Sequence, residues 1–114
     1  MALSKKERTM DLYIDAAANV HLLDEMLINV DIALSKVLPK RDLERLYAAR
    51  KALMRIQDVA ERRMLADHPE IDNKDYEHVF YSVSGHYGEL EGKVFDRISE
   101  IIDEEGEHHR KWAR

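Results

Sequence analysis

Pro39 and Pro69 are the only prolines in 114 residues, and each falls between long stretches whose apolar residues recur at helical rather than strand spacing. A proline ring drives the preceding residue out of helical geometry, and inside a helix it removes a backbone hydrogen bond. The chain is therefore cut into three helical stretches, and the expected fold is an all-α antiparallel bundle of three long helices. The boundaries fall near 4–38, 41–66 and 73–105, with 107–114 as a tail, in one domain spanning 1–114. A chain of this length supports one core but not two.

The first stretch opens on Ser4 and Glu7, spaced for a reciprocal cap in which each side chain satisfies a free amide, with Leu3 where a staple residue belongs. Met10, Ile14, Ala17, His21, Ile28 and Ile32 trace one apolar stripe, and Val20, Leu23, Leu27, Leu34 and Leu38 trace a second beside it. An arc this wide belongs to a helix at the centre of a bundle or to one covered on its far side by another chain. Homodimerisation through the first helix is the expectation.

Asp42 stands where it caps or charges the start of the second helix. That helix buries Leu43, Leu46, Tyr47, Leu53, Met54, Ala60 and Met64. The third carries Tyr76, Val79, Phe80, Val83, Tyr87, Leu90, Val94, Ile98 and Ile101, with Gly106 as a natural terminator. Ser82, Ser84, Gly85, Gly88 and Gly92 lower its helix propensity, Gly by about 1 kcal/mol relative to Ala, so a kink or break near Gly85 is its alternative course.

The chain is 45% hydrophobic and 36% charged, too apolar for disorder and too charged for a membrane protein. Asp11, Asp15 and Asp24 interrupt any signal-like or membrane-spanning run, so a cytoplasmic protein is expected. Without cysteine there is no disulfide, thiolate metal site or cysteine nucleophile. Charge is segregated: residues 36–66 hold nine basic and four acidic side chains, residues 67–107 three and thirteen. Neighbouring helices of opposite sign complement each other. Two further uses follow: a basic face on the second helix for nucleic-acid phosphate, or an acidic ridge on the third for a basic protein partner. The net charge of −5 favours the second use. Glu89, Asp96, Glu100, Asp103 and Glu104 form that ridge, and Trp112 in the tail is a candidate partner anchor.

His21, Asp24 and Asp31 interrupt the apolar arc of the first helix, and Arg50 lies amid Leu46, Tyr47, Leu53 and Met54 on the second. A guanidinium buried without a counter-charge is costly, so Arg50 is expected to form a buried ion pair with Asp24 or Asp31.

Arg63, four intervening residues and His68 make a spacing that resembles the ribonuclease motif of HEPN domains, which are also small helical bundles. The resemblance covers six residues. It implies His68 as acid or base on an RNA 2′-hydroxyl and Arg63 as phosphate holder. In that family a polar residue usually follows the arginine, whereas Met64 follows here and Pro69 comes directly after the histidine. Asp75 with His78, and Glu105 with His108, resemble the carboxylate–histidine spacing of di-iron bundles, but no inward glutamate pair on the first helix completes such a set. His78, Ser82, His86 and Glu89 remain the alternative surface metal ligands. With no nucleophile elbow, glycine-rich loop or calcium loop, the sequence reads as a non-enzymatic inhibitor, adaptor or assembly factor without a cofactor. The HEPN-like ribonuclease and the nucleic-acid binder are the runners-up.

Overall fold

The structure, a computed structural model, describes residues 2–71, 77–80 and 89–112, the side chains at 77, 78, 89 and 107–112 excepted. Three long helices dominate, α1 (Met10–Leu34), α2 (Lys40–Asp67) and α4 (Glu89–Trp112), with a single-turn α3 (Glu77–Phe80) between the last two. The protein is an all-α bundle. Gly85, the expected point of a kink, lies outside the described residues.

α1 starts at Met10 rather than near Ser4. The reciprocal Ser4–Glu7 cap forms only by half: the Ser4 amide donates to Glu7 Oε1 at 3.4 Å, but Ser4 Oγ donates to that same oxygen at 2.7 Å while the Glu7 amide bonds the Ser4 carbonyl, and the segment closes only one turn. The Arg8 carbonyl accepts from His68 Nε2 at 2.7 Å and is thereby diverted from the helical ladder. Thr9 takes over as N-cap, its hydroxyl accepting from the Leu12 amide, and Asp11 places a negative charge in the positive first turn. At the other end α1 stops at Leu34, where the Ser35 hydroxyl donates to the Ile32 carbonyl at 2.8 Å.

Pro39, extended at φ −71° and ψ 158°, leads into α2, and Asp42 supplies charge to its first turn rather than the cap itself. The second proline ends that helix as expected: His68, forced from helical geometry by Pro69, sits at φ −131° and ψ 68°. Gly106 does not terminate the last helix. It lies within α4, which continues to Trp112, and open space surrounds the position a Cβ would take there.

α1 and α2 are antiparallel, since Tyr13 near the start of one meets Asp67 at the end of the other. The core gathers at this closed end: Tyr13, Ile14, Ala17 and Ala18 from α1, Met64 from α2, Val79 and Phe80 from α3, Val94 and Ile101 from α4. α1 packs against all three other helices, whereas α2 and α4 do not pack directly on each other among the described residues. Beyond Leu22 no side chain of α1 is buried, and between Lys40 and Ile56 only Leu43 of α2 is. The far half of the α1–α2 hairpin is thus a two-helix layer that no other helix covers among the described residues.

Candidate interaction site

Helical periodicity, combined with what is buried, separates the faces of α1. Its core face carries Ile14, Ala17 and Ala18, and its seam toward α2 carries the half-buried Leu27, Asp31 and Leu34. A third stripe is exposed from end to end: Leu12, Ala16, Asn19, Leu23, Met26, Val30 and Ala33. Those steps alternate four and three residues, the spacing of a coiled-coil seam, and none of the seven is charged. Leu23 is 46%, Met26 62% and Val30 41% exposed. Asn19 turns back on its own helix, donating from Nδ2 to the Asp15 carbonyl at 2.8 Å. On α2, Ile56 and Val59 are also more than half exposed, turned away from the core positions Gln57 and Met64. The sequence shows that α1 carries excess apolar surface but not which flank is left open. Periodicity groups Leu23 with Val20, Leu27, Leu34 and Leu38 in the second apolar stripe, and only the 4–3 spacing of uncharged residues signals the outward seam.

Because α2 and α4 stand apart, a cleft of about 440 Å³ opens between them over α1. His21, Asp24 and Glu25 of α1 line it with Met54 and Gln57 of α2, Phe80 of α3, and Phe95 and Ile98 of α4. His21 Nε2 lies 3.1 Å from the Val79 carbonyl, and Gln57 Nε2 donates to the Phe80 carbonyl at 3.2 Å, so these two side chains tie α3 down. Gln57 is 7% exposed, a buried polar residue that periodicity does not announce. At the rim Arg50 Nη2 comes within 3.9 Å of Asp24 Oδ1, with the two side chains 33% and 42% exposed. The pair expected from sequence is thus half-exposed rather than buried, and Arg50 Nε is buried without a hydrogen-bond partner among the described residues. Asp31 forms no ion pair with Arg50 there.

Of the expected acidic ridge, Asp96, Glu100, Asp103 and Glu104 are exposed on α4. Arg97 partly neutralises it, reaching Glu100 at 3.0 Å and Glu104 at 3.3 Å while also bonding Asp15 of α1 at 2.6 Å. The Glu89 and Trp112 side chains lie outside the described ones.

No pattern in the sequence announces the network at the closed end. Arg8 grips Asp67 with two hydrogen bonds, Nε to Oδ2 at 2.6 Å and Nη2 to Oδ1 at 2.9 Å, and the Tyr13 hydroxyl donates to the same carboxylate. Arg8 and then Tyr13 hold the Asp67 carboxyl well below the usual aspartate range, and burial pushes the Tyr13 phenol up. His68 belongs to this network: its ring packs edge-on to Tyr13, Nε2 meets the Arg8 carbonyl, and Nδ1 lies 3.2 Å from Glu70 Oε1. Arg63, its partner in the HEPN-like spacing, is exposed on α2. Among the described residues no three His, Asp or Glu side chains group as a metal site. His86 lies outside those residues, as do the side chains of His78 and Glu89. Nor is any helix among them long and apolar enough to cross a membrane. Compared with protein-family models, curated proteins and solved structures, the chain matches none.

Proposed function

We propose that this chain is a non-enzymatic helical interaction module, an inhibitor, adaptor or assembly factor, that pairs with a second copy through α1 and presents an acidic side to a basic protein partner. One observation carries the reading: α1 packs against every other helix and still leaves an uncharged stripe with 4–3 spacing exposed along its whole length. Exposed polar residues normally dilute such a stripe on a monomer's surface, and an apolar face of this extent marks an interface. A second copy is the natural occupant because the stripe is self-complementary under a two-fold axis, and Asn19 supplies the single polar position that fixes register in a paired seam. The acidic ridge of α4 lies on a different helix and stays available to another protein. The absence of cysteine accords with a reducing, cytoplasmic setting.

The test uses the cysteine-free background. A single nitroxide at Met26→Cys should report a defined inter-label distance in the pure protein, lost on dilution with unlabelled chain. A label at Asp103, on α4, should not report close approach of the same kind. A featureless signal at position 26 refutes the pairing.

A further inference from the structure

We infer that the outward face of α2 takes the phosphate backbone of a nucleic-acid duplex. Gln57 marks the inward side of that helix, because it is buried and donates to the Phe80 carbonyl of α3. At about 100° per residue, Arg41, Arg45, Arg55, Arg62 and Arg63 stand roughly 120–160° around α2 from it. All five are exposed, and none forms an ion pair or a side-chain hydrogen bond among the described residues. Lys51 shares this arc, and Glu44 is the one carboxylate on it. The other positions of the arc are Ala48, Ala52, Val59 and Ala66, small side chains that let a ligand come close to the helix.

A neighbouring helix of opposite sign would neutralise this charge, but α2 and α4 do not pack on each other among the described residues. α1 meets α2 through Tyr13 and Asp67, and α4 through Asp15 and Arg97. Salt screens charges beyond about 8 Å, so the net charge of −5 weakens long-range attraction of a polyanion without cancelling contacts made at α2 itself. Arginine outnumbers lysine on the face, and its planar fork matches phosphate oxygens in pairs. From Arg41 to Arg63 the face runs roughly 33 Å at about 1.5 Å per residue, close to one duplex turn of about 34 Å. The arc has no aromatic side chain on which unpaired bases could stack, and no Asn, Gln, Ser or Thr to read base edges. It therefore fits the duplex backbone and carries no sequence preference. The inference stands apart from pairing through α1, which uses other residues.

The experiment titrates the full chain against a fluorescein-labelled DNA duplex about two turns long, in two unrelated sequences, following anisotropy as salt is raised. Both sequences should bind equally. Five neutralised phosphates give a log–log salt slope of about −4.5, and between about 50 and 200 mM salt a loss of affinity on the order of 500-fold. Arg45→Ala combined with Arg55→Ala should make the slope shallower by about two. Lys93→Gln, which removes a positive charge from the exposed side of α4, should leave it unchanged. Far-UV circular dichroism checks that each variant is folded. No binding to either duplex, tighter binding to a single strand of the same length, or a slope indifferent to the double variant overturns the inference. Equally tight binding of polyglutamate also overturns it, and assigns the face to an acidic protein.

Discussion

Leu23→Glu tests the outward seam at its centre. Fully burying a leucine side chain contributes about 1.5–3 kcal/mol. Leu23 is 46% exposed in the single chain, so roughly half of that, on the order of 1 kcal/mol, remains to be gained at an interface. A two-fold dimer uses the position twice, which gives about 2 kcal/mol, or a roughly thirty-fold rise in dissociation constant. Two glutamates facing each other across the seam add repulsion and desolvation, so thirty-fold is a lower bound. The fold of the single chain should survive, because the position contributes little to the core. Sedimentation equilibrium of wild type and variant, with far-UV circular dichroism as the check on folding, reads the shift directly. A folded Leu23→Glu variant that associates as strongly as wild type would show that this stripe is not the interface.

Other positions separate core from surface in the same way. Met64 is fully buried, and Met64→Ala should cost about 2–5 kcal/mol in denaturant unfolding, whereas Met54→Ala, at a half-exposed position, should cost far less. Gly92→Ala and Gly106→Ala meet nothing within 4 Å, so each should stabilise α4 by about 0.5–1 kcal/mol; a loss of stability would mean that the helix does not run through these glycines. Asp67 has a folded-state pKa held below its usual 3.8, so its contribution is present above that value and is lost as pH falls toward the folded one. Asp67→Asn should therefore be less stable than wild type at neutral pH, with the gap narrowing as the pH drops below about 4 in denaturant titrations. A gap that is constant with pH would contradict the assigned role of the Arg8 pairing.

The two prolines made the helix count legible, because their effect is local and covalent. The start of α1 was misread for the opposite reason. Ser4 and Glu7 have the spacing of the local capping rule, but a contact sixty residues away, His68 to the Arg8 carbonyl, removes a rung of the ladder. Gly106 was misread as a stop because helix propensity is weak beside the packing of the amphipathic α4. The excess of apolar surface on α1 was plain in its periodicity. Which flank stays open was not, since that depends on where α3 and α4 settle. Arg50 and Asp24 do approach each other, and their chemistry foretold a partner, but the uncovered far half of the hairpin leaves them at the rim. The buried Gln57 and the Arg8–Asp67–Tyr13 network carry no periodic signature, because their partners come from other helices.

The mass of the unmodified protein in solution, followed by sedimentation velocity over a range of concentrations near physiological salt, is the most direct test. If α1 exposes its stripe in order to pair, the species at the higher concentrations has twice the chain mass of 13.4 kDa and dissociates on dilution. A species that holds 13.4 kDa throughout that range contradicts self-association through α1.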